Sequence, residues 1–479
     1  MIHLKAHVHD STTLEFKINY ETKEHLPKAD FELSMWLFIP ENLESNEQSF
    51  SRDIFYENIK SRMRLISPRY KLDSLVTIDA FPYEQLRRKM KQLTQLQNKK
   101  ATKELRHDVC MVCNIVRSSV REISYEIENC SLEKKVFCLT NNLVKGVGCI
   151  LNNYRICGSD LPSVIKKANI IYKLGDEYLC QMFQSSLYYL TDCFKDKGRV
   201  IPSSLQFFLK KLQEDMKNRG YLFPSRTKEE HNNEYIQRSA WLKKFIESDL
   251  YLVTRQQKNG YLLEQLMFMF TAGMAMVFAL IVSFYTRNMA NHYSLPLIVL
   301  MVVSYMFKDR IKDWMRYWFQ DKAGKVFFDH RTRLQMNDVI IGSSKQGIEY
   351  KTSEEIPEFV KAVRHQHKLH EELGFVKEDI LQYRRSLKLN YKRISHLSCH
   401  PLLGAVEIFR LNLNLLMRWM DNPIITVHSS DENGDVINFE AKRVYFIDIV
   451  VQSLFLEHEE YNLYRVELNK SGICSIEHL

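Results

Sequence analysis

The sequence predicts a mixed α+β membrane protein with a mainly helical cytoplasmic N-terminal region, a two-helix transmembrane hairpin and an α+β C-terminal domain. Three observations carry that expectation. Leu266 to Tyr285, LMFMFTAGMAMVFALIVSFY, contains no charged residue, and at helical rise it matches the roughly 30 Å hydrocarbon thickness of a bilayer. Only 15 Gly and 11 Pro in 479 residues leave few breaks, which favours long helices. Alternating apolar and polar residues near both ends of the chain read as strands. At this length two or more domains are the default. The expected boundaries are 1–82, 83–260, 261–308 and 309–479.

In residues 1–82, TLEFKINYE and FELSMWLFIP read as strands separated by the polar TKEHLPKAD. A lone hairpin is marginal in water, so these strands are expected to complete a sheet supplied from elsewhere. SRDIFYENIKSRMRLISPRY follows, with Ser51 and Asp53 offering a helix start. From about Tyr83 the pattern turns helical. Leu105, Val109, Val112, Val116, Val120, Ile123 and Ile127 keep one face of a long helix apolar. The segments VFCLTNNLVKGVGCILNNY and DEYLCQMFQSSLYYLTDCF can pack on that face as an antiparallel bundle, whose last helix, RSAWLKKFIESDLYLV, leads toward the first span.

A second apolar run, YSLPLIVLMVVSYMF from Tyr293 to Phe307, and the short link TRNMANH predict the hairpin. Lys243, Lys244, Arg255 and Lys258 precede it and Lys308, Arg310, Lys312 and Arg316 follow it, against Arg287 alone in the turn. Lys and Arg are retained on the cytoplasmic side, so both termini are expected there. The competing reading is a buried helical hairpin of a soluble protein. Ala272, Ala275, Ala279 and Ser283 form a strip of small side chains that seats the second helix or, less readily, a homo-oligomer. Neither run contains Asp, Glu, Lys or Arg, so the usual mark of an ion path is missing. After the second run, Lys308, Lys312 and Arg316 fall four apart, positioned for the anionic headgroups of a lipid bilayer. Ile311, Trp314, Met315, Trp318 and Phe319 form the other side of that segment, for the interface or for the protein's own cytoplasmic part.

Beyond this, KVFFDHRTRLQM and VIIGSSKQGIEYKTS read as strands. Pro357 opens a helix, PEFVKAVRHQHKLHEELG, that Gly374 stops, and a further helix is expected in GAVEIFRLNLNLLMRWM. IITVHSSDENGDVINFEA, RVYFIDIVVQSLFLE and YNLYRVELN read as a meander with Asn433 and Gly434 at a tight turn, in a sheet that the N-terminal strands can share.

The net charge of +9 is spread along the chain with acidic residues beside most cations, and no nucleic-acid motif appears, so no nucleic-acid partner is expected. Ten cysteines without an apolar leader in MIHLKAHVHD read as reduced packing residues. Cys110 and Cys113 make a CxxC inside the long amphipathic helix, where core packing is preferred over zinc or a redox dithiol. His365, His367, His370, His396, Cys399 and His400 supply ligand types that zinc accepts. Arg364 and Lys368 beside them favour an ordinary solvated face. DENGD, Asp431 to Asp435, spaces oxygens like the start of a calcium loop, but its Gly comes early and a hairpin turn explains it better. No Walker loop, dinucleotide glycine fingerprint, HExxH, nucleophile elbow or kinase set occurs. The expectation is a membrane-anchored interaction or scaffold protein with a protein partner. A membrane-bound enzyme using the His/Cys cluster and an oligomeric channel or membrane-disrupting effector are the alternatives.

FYENIKSRMRLISPRY, KDRIKDWMRYWF and RVYFIDIVV together resemble a group of uncharacterised bacterial membrane proteins. The resemblance implies a bacterial inner-membrane location and the same hairpin, and brings no activity or binding residue.

Overall fold

The computed structural model describes the whole chain except residues 1, 22–25, 44, 47–48, 97–98, 160–164, 225–228, 259–260, 290–298, 300–301, 304, 316, 318–327, 337, 366–376, 403, 431–435 and 457. The chain opens with β1 (Ile2–Asp10), β2 (Thr13–Glu21), β3 (Lys28–Pro40), α1 (Arg52–Glu57) and β4 (Ile59–Leu65). Seven helices follow: α2 (Leu72–Val76), α3 (Phe81–Leu96), α4 (Lys99–Asn129), α5 (Glu133–Ser159), α6 (Lys166–Asp196), α7 (Ser203–Asn218) and α8 (Glu229–Glu247). Then come β5 (Val253–Lys258), α9 (Tyr261–Met289), β6 (His330–Met336), β7 (Val339–Lys351), α10 (Glu358–His365), β8 (Glu378–Asn390), α11 (Tyr391–Leu397), β9 (Gly404–Asn412) and α12 (Asn414–Met417). The chain ends in β10 (Ile424–Ser430), β11 (Val436–Lys442), β12 (Tyr445–Phe455), β13 (His458–Asn469) and β14 (Gly472–His478). Two compact units result, one of residues 1–63, 253–394 and 406–479, the other of 64–252 and 395–405.

The first unit is built on an eight-stranded sheet in the order β14-β13-β12-β3-β8-β7-β6-β5, antiparallel throughout, and a four-stranded sheet in the order β1-β2-β9-β4. Strand β3 shows why the sheets face each other. Ala29, Phe31, Leu33, Met35, Leu37 and Ile39 alternate along it and are all buried, because successive side chains point to opposite faces. Phe16 of β2 meets Tyr464 of β13 edge-on at 6.0 Å, Tyr20 lies 5.2 Å from Phe31, and Phe409 of β9 lies 5.2 Å from Tyr383 of β8. These aromatic contacts join the inner faces into a sandwich core.

Part of the opposite face of the large sheet is also covered. Trp36, Phe38, Ile380, Val450 and Leu463 form a buried cluster with Ile356 and Val360, and Phe359 and Val363 of α10 pack against it. Each such side chain contributes roughly 1.5–3 kcal/mol when fully buried. Arg364 of α10 ion-pairs with Glu378 at 2.5 Å and Asp448 at 3.3 Å, and stacks 4.1 Å over Phe38. Arg465 holds the other side of Asp448 at 2.9 Å.

The second unit is the helical one. Leu105, Val109, Val112, Val116, Val120 and Ile127 of α4 are buried, and α4 packs against α3, α5, α6 and α8. Gly175 lets α6 approach its neighbours, since a Cβ there would land against the Tyr154 hydroxyl and Val109. Cys110 and Cys113 are buried in α4, and burial pushes both thiols far up, so they pack rather than react. Asp176, almost fully buried, receives Arg155 at 2.9 Å and the Tyr221 hydroxyl at 2.9 Å.

Several expectations need correction. The two-helix transmembrane hairpin is overturned: among the described residues one helical stretch, Gln265–Tyr285, is long and apolar enough to cross a membrane. Tyr293 to Phe307 offers fifteen residues, only about 22 Å of helix, and contains Pro296. Most of it lies outside the described residues, and its end, Tyr305–Phe307, belongs to a helical stretch, 305–315, that carries Lys308, Asp309, Arg310, Lys312 and Asp313. Among the described residues the fold is instead a mixture of helices, α1 to α12 and the stretch 305–315, with large antiparallel sheets and a single helix apolar enough to span a membrane. The segment GAVEIFRLNLNLLMRWM, expected to be helical, forms β9 and only then the short α12. Its apolar spacing fits both periods, and its place between β2 and β4 decides for strand. Between the last bundle helix, α8, and α9 the chain forms β5, which pairs with β6.

That pairing has a topological meaning. β5 ends at Lys258 and β6 begins at His330, and these two residues are directly opposite partners. The intervening segment, α9 included, is therefore an insertion whose ends meet in one sheet.

Candidate functional site

One end of the large sheet's outer face is left bare beside the part that α10 covers. Lys28, Asp30 and Glu32 of β3 are exposed and alternate with buried Ala29, Phe31 and Leu33, so they stand on the outer face. Register carries this face across the sheet. Asp30 pairs with Lys388 of β8, Lys388 with Ser343 of β7, Ser343 with Arg333 of β6, and Arg333 with Arg255 of β5. One step along, Arg331 faces Lys345. Directly paired residues share a face, so these side chains belong to one surface.

The surface forms a groove of about 1060 Å³ whose lining includes Lys28, Arg331, Arg333, Lys388 and Arg393, with Ile340 and Leu454 as apolar walls. The Lys388 ammonium ion-pairs with Asp30 at 2.6 Å, and Arg393 donates to the Ile340 carbonyl at 2.9 Å. No carboxylate stands within 4 Å of the Lys28, Arg331 or Arg333 cationic groups among the described residues. An open groove with uncompensated cations raises the local concentration of anions.

Two further polar clusters are of different character. Between the sheets of the first unit, Arg385 and Glu407 form a buried ion pair. The Tyr20 hydroxyl donates to Glu407 at 3.0 Å and the Ser61 hydroxyl at 2.6 Å, while Arg385 donates to the Tyr383 hydroxyl at 3.2 Å. Burial and the Glu407 charge push the Tyr20 phenol far up, so it stays a donor. The residue types suit chemistry, yet Glu407 has no exposed surface and Arg385 only 5%. This network fixes one sheet on the other.

In the second unit, His107 Nδ1 lies 3.2 Å from Asp249, and His400 is buried with Phe81 edge-on at 5.4 Å. His107 Nε2, Asp108 Oδ2 and both His400 ring nitrogens are buried without a hydrogen-bond partner. Burial, then the neighbouring His107, lowers the His400 imidazole to about 4, which keeps it neutral.

The residues that the sequence grouped as zinc ligands fall in both units or outside the described residues. His365 ends α10 in the first unit, whereas His396, Cys399 and His400 lie in the second. His396 and Cys399 are exposed and His400 is buried. His367, His370 and the DENGD segment lie outside the described residues. No group of three or more His, Cys, Asp or Glu is placed to hold a metal ion among the described residues. The nearer companion of His400 is His107, which sequence reading missed because about 290 positions separate them. The groove was missed as well. Its one local signal is Arg331-Thr332-Arg333, a strand repeat that puts two arginines on the same side.

Of the expected headgroup contacts, Lys308 lies 4.1 Å over the Tyr305 ring, Lys312 is in the helical stretch 305–315, and Arg316 is outside the described residues. Trp314 is 69% exposed, so most of its surface is left uncovered by the described residues. No protein-family model, no curated protein and no solved structure matches this chain.

Proposed function

We propose that this chain is a membrane-anchored interaction protein, held at the cytoplasmic membrane by α9 with its folded body on the cytoplasmic side. The carrying observation is the surface of α9. Met269, Phe270, Met274, Val277, Leu280, Ile281 and Phe284 are all exposed, whereas the core helix of a soluble protein buries such residues. Because β5 before α9 and β6 after it pair in one sheet, α9 enters the bilayer from the side of the body and the chain returns to that side before β6. The cations on both flanks, Lys243, Lys244 and Arg255 before α9 and Lys308, Arg310 and Lys312 after it, support the cytoplasmic side for the body. The exposed Trp314 supports contact with the interface rather than with protein.

An interaction role is supported by the separate ribbon of β10 and β11, which belongs to neither large sheet. Ile425 pairs with Ala441, Val427 with Phe439 and Ser429 with Ile437, giving one apolar face. Ile425, Ile437 and Phe439 of that face are 41–49% exposed.

Membranes washed with alkaline carbonate test the anchor. The full chain is expected to stay with the lipid, while Val277→Arg with Ile281→Arg is expected to release it, since each central arginine costs about 2.5–3.5 kcal/mol on insertion. Complete extraction of the unaltered chain would remove the basis of the proposal. Labelling of the exposed Cys474 by an impermeant thiol reagent in inverted but not in right-side-out vesicles would report the side.

A further inference from the structure

We propose that the basic groove of the eight-stranded sheet binds a ligand carrying two or more closely spaced phosphate groups. This does not depend on α9 being an anchor.

The first reason is a conflict built into the sheet. Arg255 stands directly opposite Arg333, and Arg331 directly opposite Lys345, on the same face. Like charges paired across strands are destabilising, and each cross-strand position has a simple remedy in an acidic or neutral residue. The two pairs sit on neighbouring strand pairs, β5–β6 at the edge of the sheet and β6–β7 beside it, and bring four cations onto one face. A bound polyanion converts both repulsions into attractions.

The second reason is spacing. Neighbouring strands lie about 4.8 Å apart and alternate residues along a strand about 6.8 Å apart. Arg331 and Arg333, which line the groove, and Arg255 and Lys345 beside them on the same face therefore span more than one phosphate and match several in succession. Arginines can grip phosphate oxygens with two parallel hydrogen bonds, and Lys28 in the groove lining adds a point charge.

The third reason is the balance and size of the groove. Of its two carboxylates, Asp30 is already neutralised by Lys388. Its volume of about 1060 Å³ exceeds the need of a single phosphate and lies at the upper end for small-ligand sites. Ile340, Leu454 and Leu456 offer an apolar wall for the remainder of the molecule. A diphosphate or triphosphate ester in solution and a bisphosphate lipid headgroup share this chemistry.

The test uses the full chain in nanodiscs of zwitterionic lipid, titrated calorimetrically with tripolyphosphate, a nucleoside triphosphate and single orthophosphate. Parallel nanodiscs contain cardiolipin, with two phosphates, or phosphatidylglycerol, with one. Saturable binding of the multi-phosphate probes at least tenfold tighter than of orthophosphate is expected. Arg331→Gln with Arg333→Gln is expected to weaken it at least tenfold, without raising ligand-free hydrogen exchange in β6 and β7 peptides, because the change removes two repulsive pairs. Lys210→Ala with Lys211→Ala, an exposed pair on α7 with the same loss of charge, is expected to leave binding unchanged. Stabilisation by cardiolipin alone, lost in the arginine variant, supports the proposal and assigns the lipid source. Failure of every multi-phosphate probe to bind, equal loss in both variants, or tighter binding of duplex DNA through the same arginines overturns it.

Discussion

Removing the carboxylate of Glu407 should be among the most damaging single changes in the first unit. Glu407 has no exposed surface, its ion-pair partner Arg385 is 5% exposed, and Tyr20 and Ser61 both donate to the same carboxylate. Glu407→Leu leaves a guanidinium in the sandwich without its counter-charge, and loss of one partner from a buried pair costs about 3–5 kcal/mol. The two hydroxyls also lose their acceptor. At 1.4 kcal/mol per factor of ten, ~4 kcal/mol lowers the protection of the surrounding backbone about a thousandfold. Arg385→Met combined with Glu407→Leu removes both charges and leaves only the hydroxyls unsatisfied, so it should cost about 1–2 kcal/mol, far less than the two single changes together. The chain has two units, so one global unfolding transition is the wrong readout. Hydrogen exchange measured on peptides from β2 and β9 reports the local free energy. Less than a tenfold loss of protection in Glu407→Leu, or a double variant as damaged as the sum of the singles, would refute the reasoning.

Two other changes address the helical unit. Burial, partly offset by His107 and Lys89, pushes the Asp108 carboxyl up to about 6, so the folded chain keeps a proton that the unfolded chain loses near pH 4. Stability from this group is therefore full below about pH 4 and lost as pH rises through 6, and Asp108→Asn should stabilise α4 by at most about 3 kcal/mol at pH 8 while giving no gain at pH 4. Exchange in α4 peptides between pH 4 and 8 tests this, and an unchanged pH slope in the variant would count against it. Gly175→Leu forces a side chain into the space taken by Tyr154 and Val109 and should cost about 1–3 kcal/mol, read as faster hydrogen exchange in α6 peptides. An unchanged rate would mean that α6 has room to shift.

What the sequence revealed follows from the range of the forces involved. The long helix α4 was legible because its apolar positions repeat over 31 residues, and Cys110 and Cys113 could be placed in its core by the same periodicity. The helix start at Ser51 and the strands β2, β3, β6, β7 and β13 were legible from local alternation and turn residues. Strand β9 was not, since GAVEIFRLN carries apolar residues at spacings that suit either period, and only its neighbours β2 and β4 settle it. Strand β8 was passed over, although it is central: EDILQYRRSLKLN is buried on both faces near Tyr383 and Arg385, and its paired charges look like a surface segment. The groove was invisible for a related reason. Its residues come from β3, β6, β7, β8 and α11, and no local pattern announces that Lys28 and Arg331 line one cavity. The grouping of His365 with His400 rested on nearness in sequence, and the two residues fall in different units.

The pairing of β3 with β8 also sets an order of events during synthesis. Asp30 and its partner Lys388 are 358 residues apart, so at ~5–20 residues per second β3 waits about 20–70 s for its neighbour. All of α9 leaves the ribosome inside that interval, before β6 and β8 exist to close the sheet around its ends. The apolar helix must therefore find its environment while β3 is still an unpaired, aggregation-prone edge, and the sheet forms only after that helix has been delivered.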